Sequence, residues 1–209
     1  MIQTKGLSVA YGNRKIEFPD LQLDKGDQLL VLGKSGSGKT SLLNLLGGVL
    51  SPVSGNVLVN DQDLNSLSGR KQDKFRGDNI GFIFQTPHFI KALNVEGNLQ
   101  LSQYLTNKRD DSHLDQLLQK VDLLQRKKEN ISNLSEGEKQ RISIVRALIN
   151  KPKIILADEP TSALDDASCD TIVQLLKNLS QENNAVLVIV THDKRLKDQF
   201  NNHIELNAI

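Results

Sequence analysis

An α/β fold built on a mostly parallel sheet, with an antiparallel β flank at the N-terminus and an inserted α-helical subdomain, is predicted by three features of the sequence. Four runs rich in Val, Ile and Leu, QLLVLG (28–33), IGFIFQ (80–85), KIILAD (153–158) and AVLVIVTH (185–192), each lead into a polar or glycine-bearing turn. Such runs read as strands buried on both faces, as in a parallel sheet covered by helices. Helical patterns at Lys39–Leu46, 114–124, 138–148 and 166–179 lie between them. The N-terminal third differs: segments 2–12, 14–23 and 55–62 look like strands at hairpin spacing.

A chain of 209 residues with 38% apolar side chains can bury one sizeable core, and no repeat, linker or low-complexity tract divides it. One domain is expected over 1–209, with 1–85 and 151–209 as its core. Residues 86–150 read as the helical subdomain, with TNKRDDS (106–112) as a loop or helix start inside it. Basic residues number 26 and acidic ones 25, a formal charge of +1. That balance offers no broad electrostatic footprint for nucleic acid, which is not expected as a partner. The basic clusters at 70–74 and 126–128 read as solvated faces. A single cysteine, Cys169, excludes an internal disulfide framework and a multi-cysteine metal site, and reads as an inert, partly buried thiol. The start, MIQTKGLSVAYG, lacks the basic and apolar regions of a secretory signal, and no window approaches the roughly 18 uncharged apolar residues of a membrane span. A soluble, cytosolic chain is expected, one that works at a membrane only through another polypeptide.

The stretch LGKSGSGKTSLL (32–43) fits the pattern Gly33-x-x-x-x-Gly38-Lys39-Thr40, between a candidate strand and a candidate helix. Glycines 33, 36 and 38 let successive backbone N–H groups converge on phosphate oxygens at a helix N-terminus. Gly33, Lys34, Ser35, Gly36, Ser37, Gly38, Lys39, Thr40 and Ser41 are therefore the candidate nucleotide cradle. Lys39 would neutralise the β- and γ-phosphates of ATP, and the Thr40 hydroxyl would ligate Mg²⁺. The plain alternative is a tight turn whose lysine sits in solvent.

Downstream, KIILADEPTSALD (153–165) brings Asp158 and Glu159 to the end of a buried strand. Adjacent buried carboxylates need cationic compensation, which Mg²⁺ on ATP would provide. Asp158 could reach the metal directly or through water, while Glu159 orients or deprotonates the attacking water. A helix-capping acidic pair before Pro160 is the alternative. Together the two elements indicate a P-loop NTPase with a RecA-like core and leave its task open.

The task narrows at NLSEGEKQRISIVRAL (133–148). Ser135 followed three residues later by Glu138 is a capping-box pattern, opening a helix whose Ile142, Ile144, Val145 and Leu148 suit burial. Read alone it is a well-capped helix. In context, Leu134-Ser135-Glu136-Gly137-Glu138 resembles the signature of ATP-binding-cassette (ABC) ATPases, placed shortly before the acidic strand as in that family. The resemblance covers essentially all 209 residues. It implies that Ser135, Gly137 and Glu138 engage nucleotide, that Tyr11 stacks on adenine, and that Gln85 touches Mg²⁺ or the attacking water and senses a membrane partner. It also implies that His192, in VTHD, contacts the γ-phosphate as a catalytic group, and that SALD (162–165) crosses between two copies. Tyr11 packing under a loop and Gln85 as a strand-end amide are the alternatives. His88, His113 and His203 match nothing and read as surface or packing residues. Glu136 departs from the family, which often has glycine there, so tuned rather than lost ATP engagement is expected.

The resemblance further implies a second ATPase subunit as partner, expected as a homodimer, in which the signature of one subunit closes over ATP held by the other. A capped helix tip at Ser135 offers N–H groups and a positive dipole end that would bind a γ-phosphate and gain less from ADP. Stretches 41–68, 74–85 and 156–165 resemble the bacterial group containing lipoprotein-release, macrolide-export and cell-division ATPases. The implied function is an ATP-binding and ATP-hydrolysing subunit that drives a separate integral membrane permease, of lipoprotein-release or macrolide-export type, from the cytoplasmic face of the membrane. Docking is expected near 86–98, where Phe89, Ile90, Leu93 and Val95 would either line a groove for a partner helix or fill the subdomain core. Three rivals stand beside this reading: a cell-division-like mechanotransmission ATPase, a non-transport cassette ATPase acting on DNA or ribosomes, and a P-loop small-molecule kinase. A kinase should lack the Ser135 signature and His192, and the non-transport proteins typically carry coiled-coil inserts or a second cassette.

Overall fold

The computed structural model of the chain describes residues 1–162 and 166–207, the side chains of 166–168 excepted. Strands β1 (Ile2–Tyr11), β2 (Arg14–Glu17), β3 (Gln22–Leu23) and β4 (Gln28–Gly33) precede helix α1 (Lys39–Leu46). Next come β5 (Ser54–Val59), β6 (Gln62–Asp63), α2 (Gly69–Asn79) and β7 (Ile80–Ile83). Helices α3 (Val95–Thr106), α4 (Asp111–Lys120) and α5 (Glu136–Leu148) follow. The chain returns through β8 (Ile154–Asp158), α6 (Asp166–Glu182), β9 (Val186–Thr191) and β10 (Asn202–Leu206).

Two sheets result. One is wholly parallel, in the order β10-β4-β9-β8-β7. The other is antiparallel, in the order β2-β1-β5-β6 with β3 beside β1. Its hairpins close on two-residue loops; Asn60 and Asp61 both take positive φ, 49° and 63°, as the turn between β5 and β6 demands.

The parallel strands sort their side chains by twos into two interiors. Leu30 and Leu32 of β4, Ile155 and Ala157 of β8, and Leu187 and Ile189 of β9 join one cluster with Leu99 of α3, Leu117 of α4, Ile142 of α5 and Ile172 of α6. Leu29 and Val31, Ile154 and Leu156, and Val186 and Val188 join a second cluster, with Leu42 and Leu46 of α1 and Val57 and Val59 of the antiparallel sheet. A side-chain period of two sends alternate residues to opposite faces, so a one-residue slip would exchange the clusters. With both faces covered, every residue of β9 is buried, which is why the sequence shows a continuous apolar run there rather than an alternation. Each such Leu, Ile or Val contributes about 1.5–3 kcal/mol by leaving water.

Several boundaries differ from those the sequence suggests, each for a local reason. β7 stops at Ile83, so Gln85 lies beyond the strand rather than at its end. α4 covers 111–120 instead of 114–124, because Asp110 Oδ1 caps it by accepting the His113 N–H at 2.9 Å, and Asp122 beyond it has a left-handed φ of 59°. α6 continues to Glu182. α2 buries none of its residues and so shows no apolar stripe. β10 is a mostly exposed edge strand. Neither gives the periodic signal on which a sequence reading depends.

Candidate nucleotide site

The phosphate-loop sequence forms the turn between the end of β4 and the start of α1. Gly36 and Gly38 have φ of 79° and 91°, which side chains resist, and Gly38 is the residue from which α1 springs. At Gly33 a Cβ would stand 2.4 Å from Ser37 Oγ and 3.0 Å from the Leu206 carbonyl, so that strand end must be bare. Ser37 Oγ is buried with no hydrogen-bond partner. Lys39 is nearly buried, its Nζ donating to the carbonyls of Gly33 at 2.8 Å and Lys34 at 3.2 Å. These are the contacts a lysine makes when it lines a loop instead of reaching into solvent.

The acidic pair arrives from β8. Thr40 Oγ1 donates to Asp158 Oδ2 at 2.8 Å, joining the first turn of α1 to the strand end. Glu159 takes a left-handed φ of 45°, and its backbone N–H donates to the Val190 carbonyl of β9 at 2.9 Å. Its carboxylate accepts from Thr191 Oγ1 at 2.7 Å and from the His192 N–H at 3.0 Å. The same carboxylate lies 2.9 Å from His192 Nδ1 and 3.5 Å from Lys39 Nζ. Asp158 has fewer compensations. Burial pushes its carboxyl above the usual aspartate range, the hydrogen bond from Thr40 opposes that, and the negative charge of Glu159 adds to it.

Gly33, Lys34, Ser35, Gly36, Gly38, Lys39, Thr40, Glu159 and His192 line an open cavity of about 1070 Å³ together with Tyr11, Ser41 and Gln85, and Asp158 meets that lining through its hydrogen bond with Thr40. Tyr11 is half-exposed at the rim, its hydroxyl 3.0 Å from Ser41 Oγ, so it does not pack under a loop. Arg14, Lys194 and Glu205 also line the cavity and were not anticipated. Arg14 pairs with Tyr11 across the β1–β2 hairpin, a register that the strand spacing contains. Lys194 and Glu205 carry no comparable signal.

Ser135, Gly137 and Glu138 stand apart from this cavity. They form the start of α5, where the Ser135 N–H and Oγ donate to Glu138 Oε2 at 2.8 and 2.9 Å and the Glu138 N–H donates back to Ser135 Oγ at 3.3 Å. Those hydrogen bonds, with the charges of Arg126 and Arg141, hold the Glu138 carboxyl below its ordinary range. A small cavity of about 80 Å³ is shared by the start of α5 and Glu159, with Gln85, Glu136, Gln140 and Glu159 on its walls. Gln85 thus borders both spaces.

Within 86–98 the structure divides the four apolar candidates. Val95 is fully buried in the helical cluster, and Phe89 packs against that cluster beneath the Arg146 guanidinium, 4.6 Å from the ring centroid. Ile90 is exposed, and Leu93 lines a shallow groove with Leu101 and Tyr104. Val95 is therefore core rather than docking surface. Cys169, expected to be partly buried, is almost wholly buried, and residues 163–165 of the SALD stretch lie outside the described residues. No described helix is long and apolar enough to cross a membrane.

The chain is 38% identical over 99% of its length, and 96% of the relative's, to HrtA of Staphylococcus saprophyticus subsp. saprophyticus, a protein named for hemin import and ATP binding. It is 38% identical over 90% of its length, and 74% of the relative's, to the lipoprotein-releasing system ATP-binding protein LolD of Colwellia psychrerythraea. Among solved structures, the dimeric bacterial ABC transporter cassette MJ0796 superposes with a TM-score of 0.89 at 32% identity, covering 100% of this chain and 95% of that one. The same cassette in a dimeric post-hydrolysis state, bound to ADP and Pi, gives 0.87 over 99% and 94%. A family model described as ABC transporter matches residues 17–162, and with it the chain belongs to the ABC transporter family, as an ATP-binding subunit that hydrolyses ATP.

Proposed function

We propose that this ATPase takes the triphosphate of ATP on residues 33–41, closes on a second copy of itself, and passes the resulting movement to an integral membrane permease at whose cytoplasmic face it sits. The anchoring of Glu159 carries the reading. Hydrogen bonds from Thr191 and His192 fix its carboxylate on the cavity wall, 3.5 Å from Lys39 Nζ. A carboxylate so held can orient a water and take its proton as that water attacks the γ-phosphate. Lys39 would exchange its two carbonyl partners for phosphate oxygens. If Nδ1 of His192 donates to Glu159, Nε2 of the neutral ring is only an acceptor, so a hydrogen bond from that ring to a phosphate oxygen calls for the imidazolium. Tyr11 at the rim offers a ring to adenine.

Thr40 Oγ1, Asp158 and Gln85 make an all-oxygen donor set suited to Mg²⁺, and a cation beside Asp158 would relieve the burial that now raises its carboxyl. When bound, Mg²⁺ would neutralise charge developing on the phosphates. Among the described residues no group of three His, Cys, Asp or Glu could hold a metal, so phosphate and water oxygens would complete its shell.

The α5 tip, which does not line the chain's own phosphate cavity, would cap the terminal phosphate of ATP on the other copy. Because ATP would bind the closed pair better than the open one, it shifts the population toward closure, and hydrolysis reverses the shift. Permease docking near 86–98 would use the exposed Ile90 and the groove that Leu93 lines with Leu101 and Tyr104, and His88 extends the same surface into a groove of about 950 Å³ beside β7 with Phe84, Leu105, Arg70 and Arg146. Lipoprotein release is the cargo class the LolD relatives support, macrolide export the neighbouring type, and hemin transport a second reading favoured by the nearly full-length match to HrtA. The test is the Glu159→Gln variant with saturating Mg-ATP, its mass followed by light scattering. A dimer that forms with ATP and not with ADP is expected, and a purely monomeric species would reject the mechanism.

A further inference from the structure

The first turn of α5 carries two acids, Glu136 and Glu138, at a helix end that is otherwise positive. The structure treats them differently. Glu138 is engaged in the capping box, with Arg126 Nε 3.5 Å from its other oxygen. Glu136 takes no part in the cap; its carboxylate meets Lys139 Nζ at 2.8 Å, one turn further on. Glu136 also borders the 80 Å³ cavity whose far wall includes Glu159. Without a counter-charge it would face that carboxylate on one side and an approaching terminal phosphate on the other.

We propose that Lys139 is a positioning residue that clamps the Glu136 carboxylate, so that the α5 tip stays receptive to triphosphate and the Glu136–Lys139 pair sets the affinity of the ATP-dependent dimer. The proposal rests on the closure mechanism given above. In the separate chain the pair does little, because the Glu136 side chain is 69% exposed and water screens it; exposed ion pairs contribute little to folding. Closure of two copies removes that water. In the lower dielectric that results, an uncompensated carboxylate beside a phosphate is repelled far more strongly, and a neutralised one is not. The order of the pair, acid towards the helix start and lysine three residues on, is also the one the helix dipole favours. Lys139 therefore acts on association and leaves folding almost untouched.

The test uses Glu159→Gln as the parent and adds Lys139→Met, Glu136→Gln, and both together. Light scattering gives the protein concentration at half-dimerisation with Mg-ATP, at low and high salt, and melting temperatures are recorded alongside. Lys139→Met should raise that concentration about tenfold, a size usual for contacting charges, and by more at low salt. Glu136→Gln should dimerise at least as well as the parent, and adding it to Lys139→Met should restore the loss. Melting temperatures should stay together. A Lys139→Met protein that dimerises like its parent overturns the proposal, and so does a double variant as weak as Lys139→Met, because the lysine would then act on something other than Glu136. A parent that stays monomeric with ATP rejects closure itself and the clamp with it.

Discussion

Asp158 and Glu159 are neighbours of the same chemical kind in unlike surroundings. Glu159 has three hydrogen-bonding partners and a lysine at 3.5 Å, whereas Asp158 has one hydroxyl partner and a burial cost that raises its carboxyl. A raised value in the folded chain means that the folded form holds the proton to higher pH than the unfolded form. Stability contributed through Asp158 is therefore intact below the ordinary aspartate value of 3.8, falls as pH rises through the folded value, and stays lowered above it. Asp158→Asn keeps an acceptor for Thr40 without the charge. In nucleotide-free protein it should raise the melting temperature by a few degrees at pH 7, with the gain vanishing towards pH 4, while Mg-ATP should stabilise the variant less than the natural chain. Parallel melting curves of the two proteins across pH would reject this account. At this scale the sequence was informative wherever chemistry demands fixed spacing, as in Lys39 and Thr40 after the glycines. It held Arg14 only implicitly, in the hairpin register opposite Tyr11, and was silent on Lys194 and Glu205.

Elements are legible in proportion to how much they bury. β4, β8 and β9 are covered on both faces and stand out as apolar runs, and α5 announces itself through its cap. α2 and β10 are held by their neighbours rather than by a buried stripe of their own, and the sequence does not reveal them. Close approach between elements is likewise invisible until backbones are placed. β7 runs against α5, and at Gly81 a Cβ would stand 2.3 Å from the Ala147 carbonyl and 3.2 Å from Pro152 Cγ. The carbonyl belongs to a helix that cannot give way without moving the signature at its other end. Gly81→Ala should therefore destabilise the chain by about 1–3 kcal/mol, the usual cost of overpacking. Urea unfolding measures it, and an unchanged midpoint would show that strand and helix are less tightly joined than described.

On the scale of the whole molecule, the proposed closure gives each chain half of what hydrolysis needs. The ends of the parallel strands and the start of α1 bring Lys39, Glu159 and His192 to one open cavity, whereas Ser135 and Gly137 at the start of α5 do not line it. Both structures of the similar cassette MJ0796, one of them bound to ADP and Pi, are dimeric. The sequence contained both motifs but not that only one of them lines the large cavity, since spacing along a chain does not say which surface a motif reaches. A kinetic consequence follows from mass action. If two copies must meet to complete a site, specific ATPase activity depends on protein concentration: well below the dimer dissociation constant the rate grows as the square of concentration, and above it the rate becomes proportional. Steady-state phosphate release at saturating Mg-ATP, measured over about three decades of dilution beside the mass from light scattering, should show that bend where dimer gives way to monomer. Raising salt should move it to higher concentration, as expected for an interface built on phosphate, lysine and carboxylate charges. Constant specific activity down to concentrations at which only monomer is present would mean that one chain holds a complete site, and the second copy would have no part in hydrolysis.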